Sequence, residues 1–310
     1  MGYIIIGKFI LGLLLFLVGL KVVKDSFYQA SHNKIEYIMK RLTKNIFLSI
    51  ITGILITSII QSSSATIVII ISLVNAKILS LEEGVGVIMG ANIGTTATVQ
   101  LLSFNLEDYL WLITLIGLGF YLLYYIKRND NLKYIARGII GFAILFAGLE
   151  VLSSIILNLK RVDSFISLLT YLSVKPMWGI LVGIVVTALI QSSSALTGVV
   201  VVLAKGNMIS LALSITIALG SNIGTCITAF IAGLGTSKTA RRVAVADILF
   251  NIIGVLAIIP LLPFFIRIMS LTSLSLTRQI ANSHTVFNIF NTLLILVWRK
   301  RFIDLVVKIT

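Results

Sequence analysis

The residues Gln61-Ser62-Ser63-Ser64 interrupt an apolar stretch, and the same types recur as Gln191-Ser192-Ser193-Ser194. Each group carries an amide and three hydroxyls, which donate and accept hydrogen bonds without fixed charge. Apolar residues 46–60 precede the first group and apolar residues 67–71 follow it. Each flank is short against the ~20 residues a spanning helix needs. The polar centre therefore falls at membrane depth, where a broken backbone must be buried in protein or line a wet cavity. If a helix starts at that break, its free N–H groups and dipole add positive potential. That chemistry suits an oxyanion. The same hydroxyl oxygens, with carbonyls freed at the break, equally suit a small hard cation such as Na+. A lone serine in a membrane helix mostly hydrogen-bonds a neighbouring helix. Four polar residues repeated at corresponding points fit a binding site better.

A second motif accompanies the first. Gly90-Ala91-Asn92-Ile93-Gly94-Thr95-Thr96 and Gly220-Ser221-Asn222-Ile223-Gly224-Thr225 place an Asn 31 residues after each Gln. The glycines permit close helix approach or local unwinding. Packing alone leaves Asn and Thr unexplained, and both offer oxygen ligands. Arg241 and Arg242 open an apolar helix that contains Asp247 and Asn251. Such a pair anchors a helix at the cytoplasmic face, and a guanidinium also suits bidentate phosphate capture. Asp247 within apolar sequence is a functional candidate by default; Glu150 and the pair Glu82 and Glu83 read as boundary residues. His284 lies in Ala281-Asn282-Ser283-His284-Thr285-Val286-Phe287-Asn288 and reads as a hydrogen-bonded structural histidine. Phe250-Asn251 echoes Phe287-Asn288.

The elements that position these residues follow from composition and repetition. Of 310 residues, 12% are charged and 58% hydrophobic, and mean hydropathy is +1.09. A soluble domain carries about 25% charged and about 45–50% apolar residues. These values exclude a soluble globular domain and a disordered chain and leave an all-α integral membrane protein. The formal net charge of +14 sits in short loops between apolar runs, which is the positive-inside signature and not a nucleic-acid surface. The single Cys226 excludes a disulfide framework, and two histidines (His32, His284) leave no histidine-rich transition-metal site. Both polar motifs recur at an offset of 130 residues, as do Gly53 with Gly183 and Thr98 with Thr228. The chain is a duplication: a first repeat at 1–128, a second at 129–260, and an extra membrane helix with a short cytoplasmic tail at 261–310.

Cation placement predicts the topology. Residues 3–23 cross inward and 24–44 form an amphipathic cytoplasmic connector or lie on the anionic leaflet. Residues 46–74 enter and return as a hairpin, 78–103 cross outward, and 109–127 cross back. The second repeat starts inside at 138 and repeats the plan upside down. A final helix at 280–298 returns the C-terminus to the cytoplasm. The first helix is read as a retained span and not a cleaved signal, since no positive charge precedes it. Three crossings per repeat invert the second relative to the first, a pattern common in secondary transporters.

The paired Gln-Ser-Ser-Ser, each followed by Gly-x-Asn-Ile-Gly-Thr, resembles the type II sodium-dependent phosphate cotransporter family, together with the segments around Phe250-Asn251 and His284 to Asn288. The resemblance covers roughly residues 10–298. It implies Na+-driven alternating-access transport of inorganic phosphate, elevator-like, in a multi-pass protein of the plasma (inner) membrane, with no catalytic residue and no cofactor beyond Na+ as coupling ion. By motif it implies phosphate contacts from Gln61, Ser62, Ser63, Ser64, Gln191, Ser192, Ser193 and Ser194, with Arg241 added. It implies Na+ ligands among Ser64, Thr66, Asn92, Thr95, Thr96, Ser194, Asn222 and Thr225. The family commonly has an Arg pair before a Phe-Asn helix in its first half as well; here residues 104–110 read Phe-Asn-Leu-Glu-Asp-Tyr-Leu. Some bacterial relatives add a cytosolic regulatory domain, and the chain is expected to lack one. Partners are phosphate, Na+ and the bilayer, with no nucleic acid; homo-oligomerisation is left open. The rival readings are another oxyanion such as arsenate, phosphate export, an anion channel, and an intramembrane serine enzyme. The last needs a base, and no His or Lys flanks either motif.

Overall fold

Runs of apolar residues without strand-like alternation build helices throughout, and no strand occurs among the described residues. The computed structural model describes residues 2–104 and 106–310, with the side chains of all of these except Gly2, Ile4, His32, Asn33, Lys34, Glu36, Lys40, Leu157 and Pro176. Asn105 and the His32 side chain thus lie outside the described residues.

The first half runs α1 (Gly2–Leu42), α2 (Ile46–Ile60), α3 (Ser63–Asn75), α4 (Leu81–Leu102) and α5 (Leu110–Lys127). The second runs α6 (Asp130–Ser154), α7 (Ile156–Leu159), α8 (Asp163–Val174), α9 (Pro176–Ile190), α10 (Ser193–Lys205), α11 (Leu211–Gly233) and α12 (Lys238–Ile258), which continues as α13 (Leu262–Ser270). Then come α14 (Leu276–Val297) and α15 (Arg299–Ile309). Among the described residues, seven segments are long and apolar enough to cross a membrane: residues 5–31, 81–102, 107–127, 130–154, 211–233, 238–270 and 276–297. The protein is a multi-pass membrane protein. On α5, Trp111, Leu122 and Ile126 are each more than 60% exposed, an apolar surface that lipid covers.

The helices α2 (15 residues) and α3 (13 residues) are each too short to span, as expected of a hairpin. In the second half α8 and α9 meet at a 117° bend before the α9–α10 hairpin. The connector expected at 24–44 is instead the continuation of α1, a single 41-residue helix. Polar side chains do not stop a helix; no Gly or Pro occurs between Lys21 and Leu42, so nothing breaks it. The second half begins at Asp130, earlier than 138, because the Asn129 side chain caps α6 by accepting from the Asn131 N–H (3.0 Å). Residues 299–309 form a helix whose Phe302 and Val306 are buried in the core that also holds Val85, Ile88, Val243 and Phe250.

Close backbone approach fixes each hairpin to a long helix. A Cβ on Gly90 would overlap the Ile50 carbonyl of α2, and a Cβ on Gly220 would overlap the Ile180 carbonyl of α9. Only glycine lets these backbones touch. At one end of the bundle, Arg299 approaches Glu82 at 3.6 Å, the Asn75 side chain accepts from the Ser237 N–H at 2.9 Å, and Arg242 Nε donates to Thr310 at 3.1 Å. That end holds the C-terminus, the start of α4, the end of α3 and the start of α12. At 1.5 Å per residue the 22-residue α4 carries the chain about 33 Å away. There Arg278 donates to Ser103 (2.9 Å) and Lys205, at the end of α10, pairs with Glu107. The return arms of the two hairpins therefore leave the centre toward opposite ends.

Candidate functional site

Each Gln-Ser-Ser-Ser makes the same turn. Gln61 ends α2 in the left-handed region (φ 58, ψ 28), and Gln191 ends α9 there too (φ 57, ψ 29). Their N–H groups donate to Thr57 (2.8 Å) and Thr187 (2.7 Å). A non-glycine residue in this conformation is strained and persists only where its surroundings hold it. For Gln61 they do. Its Oε1 accepts from Thr98 Oγ1 at 2.6 Å, and its Nε2 donates to the Ser58 carbonyl. Gln61 is buried, whereas Gln191 is exposed and its amide has no partner among the described residues.

The next serine starts the return helix. Ser62 Oγ accepts from the Ala65 N–H (3.2 Å) and Ser192 Oγ from the Ala195 N–H (3.3 Å), both as N-caps. Ser63, Ser64, Ser193 and Ser194 then occupy the first turn, where backbone N–H groups have no intrahelical partner. Their hydroxyls make no hydrogen bond to the protein among the described residues. Two helix N-termini and four free hydroxyls thus converge from the two hairpins.

They line one cavity of ≈ 50 Å³ formed by Lys24, residues 61–64, Thr95, residues 191–194 and Thr225. A second, inner chamber of ≈ 10 Å³ adjoins it, about the room one water needs. Ser63, Thr95, Ser193 and Thr225 line both; Ile67, Asn92, Asn222, Asp247 and Asn251 complete the inner one. Asp247 is 2% exposed, and no cation lies within 4 Å of its carboxylate among the described residues. Asn251 Nδ2 donates to the Asp247 carbonyl (2.9 Å), which leaves Asn251 Oδ1 unpaired. Asn222 Oδ1 meets His284 Nε2 at 2.9 Å, and Asn222 Nδ2 is unpaired. Thr95 and Thr225 donate to Ala91 (2.9 Å) and Ser221 (2.8 Å), so their oxygen lone pairs stay available. The outer cavity offers donors and one cation, which suits an anion. The inner chamber offers oxygens and a carboxylate, which suits a small cation.

The structure brings together most of the residues singled out above: both Gln-Ser-Ser-Ser groups, Asn92, Thr95, Asn222, Thr225 and Asp247. Arg241 is not among them; it is exposed on the first turn of α12 and lines neither chamber. Thr66 accepts from Thr57 (2.9 Å) and donates to the Ser62 carbonyl (3.0 Å), Thr96 donates to the Ile93 carbonyl (2.7 Å), and neither lines a chamber. Sequence reasoning missed Lys24, since a lysine placed in a cytoplasmic connector draws no attention. A cavity of ≈ 560 Å³ between Glu107 and Thr277 contains none of the motif residues and is a surface recess.

The chain is similar to known proteins. The protein YqeW of Bacillus subtilis, which is uncharacterized, is 29% identical over 92% of this chain and 91% of its own length. The "Putative inorganic phosphate export protein YjbB" of Escherichia coli is 23% identical over 90% of this chain. The human "Sodium-dependent phosphate transport protein 2B" is 34% identical over 39% of it. The chain spans about half the length of the former (51%) and a fifth of the latter (19%). No solved structure matches. The sequence model described as Na+/Pi-cotransporter fits residues 15–154 and 158–291, which include both serine turns and every residue of the two chambers, and so the chain belongs to the Na+/Pi-cotransporter family.

Proposed function

We propose that the protein is a secondary active transporter that moves inorganic phosphate coupled to Na+ by alternating access. One observation carries the reading: the two serine turns share one polar cavity at the centre of a membrane bundle, with a carboxylate-bearing chamber behind it. Phosphate fits the outer cavity, where first-turn N–H groups, serine hydroxyls and the Gln191 amide donate. Na+ fits the inner chamber, where Asp247, Asn251, Asn92 and the threonines supply oxygen. Bound Na+ then offsets negative charge in the loaded site, which lowers the electrostatic cost of moving it. The opposed hairpins fit an inverted-repeat carrier, with repeats at 1–128 and 129–260. Elevator-like motion of the hairpin core against α1 and α6 is consistent with that architecture. The cationic end that holds Arg242, Arg299 and the C-terminus is assigned to the cytoplasm of a plasma (inner) membrane.

Radiolabelled phosphate uptake into proteoliposomes tests this, with an inward Na+ gradient or with K+ in its place. Uptake that requires Na+ is expected. Ser63→Ala and Ser193→Ala, which reach both chambers, are each expected to lower it tenfold or more with normal membrane insertion. Na+-independent conduction would favour a channel, and wild-type rates in both serine variants would remove the site assignment. The same liposomes loaded with phosphate, under an outward Na+ gradient, report whether the carrier also exports.

A further inference from the structure

Among the described residues one cation lines the two chambers, and it does not come from a hairpin. Lys24 lies on α1, and its Nζ is 3.5 Å from Ser192 Oγ, the cap of α10. The contact is built from below: the Phe16 ring of α1 packs on Gly198 of α10, where any Cβ would overlap the ring. Antiparallel α1 and α10 thereby bring Lys24 level with the serine turn. The lysine is half-buried. It has three N–H donors, of which one is spent, on a long hydrogen bond. No carboxylate lies within 4 Å of it among the described residues, and the neighbouring Asp25 is exposed. Asp247 lies in the other chamber, beyond the shared wall.

A cation among spanning helices is costly, so its partner must be sought. Among the described residues no carboxylate pairs with it, and its donors face a cavity ringed by further donors. We propose that the Lys24 ammonium binds the oxyanion directly and stands as a resident counter-charge in its cavity. It then does the work of one bound cation: a singly charged oxyanion is neutralised in the outer cavity by the protein itself. Na+ in the inner chamber faces the Asp247 carboxylate and balances that charge instead.

The proposal rests on the phosphate reading, and the experiment separates the two. Phosphate uptake by Lys24→Gln is measured in proteoliposomes against phosphate and against Na+. The amide keeps a donor for Ser192 and removes only the charge. The KM for phosphate is expected to rise at least tenfold while half-saturation by Na+ stays within threefold, and Lys24→Arg is expected to fall nearer to wild type. A phosphate KM within threefold of wild type in Lys24→Gln overturns the proposal and leaves the phosphate reading standing. Absence of wild-type uptake overturns the reading itself. If the variant does not fold, the wild-type protein decides the matter. Inorganic phosphate is expected to slow acetylation of Lys24, followed by mass spectrometry, at least threefold, and an unchanged rate overturns the proposal.

Discussion

Gln61 and Gln191 have the same backbone and different work. The side chain of Gln61 is consumed by Thr98 and Ser58, while that of Gln191 is free at the cavity. Removing a buried, doubly bonded amide leaves Thr98 without its acceptor and costs about 1–3 kcal/mol. Gln61→Ala is therefore expected to lower the melting temperature of the purified protein by several degrees. Gln191→Ala is expected to leave it within about a degree and to raise the phosphate KM severalfold. Thermal unfolding and uptake kinetics on both variants check this; equal melting shifts would contradict the asymmetry. The sequence cannot show it, since the two motifs are identical over five residues. What separates them is a threonine 37 positions downstream: Thr98 reaches Gln61, whereas its counterpart Thr228 donates to Thr225 instead. The polar motifs themselves were legible, because polar residues in an apolar run have few bland explanations. Asp247 was legible for the same reason. Lys24 and the exposed position of Arg241 were not, since whether a cation faces a cavity or open surface depends on tertiary packing.

The spans and hairpins were readable from apolar runs, while α8, α15 and the helix boundaries were not. The hairpins at 46–75 and 176–205 follow directly from the paired motifs. The length of α1 did not, because polar residues after residue 20 do not by themselves end a helix. Helices continue into water as long as nothing breaks them. Packing supplies the elements' positions, and the glycines of α4 and α11 are the joints. Gly220 touches the α9 backbone at the Ile180 carbonyl, just as Gly90 touches α2 at Ile50. Because a backbone atom cannot yield as a flexible side chain does, the helices must separate. Overpacking of this kind costs typically about 1–3 kcal/mol. Gly220→Val is expected to lose that much stability and to displace the Gln191 turn, so that uptake falls more steeply than stability does. Gly119, beside which a Cβ meets nothing within 4 Å, serves as control, and Gly119→Ala is expected to be silent in both assays.

Across the whole molecule, duplication matters because it opposes the hairpins. The end of α3 is tied to the start of α12 through Asn75 and Ser237. The end of α10 is tied through Lys205 to Glu107, past the far end of α4. A site reached by two hairpins from opposite ends has a barrier to each side, and alternating access needs that arrangement. An odd number of crossings per repeat would produce it without further design, which is the expectation drawn from the cation placement. The arrangement has a direct test, because Cys226 is the single cysteine and is buried. Cys226→Ser supplies a cysteine-free background, and Asn75→Cys and Lys205→Cys each add one thiol at a hairpin end. In intact cells a membrane-impermeant maleimide is expected to label Lys205→Cys and to miss Asn75→Cys. In inside-out vesicles the order is expected to reverse. Labelling of both thiols from one side would place the hairpins in parallel and leave the carrier without its opposed gates, whatever the uptake assay reports.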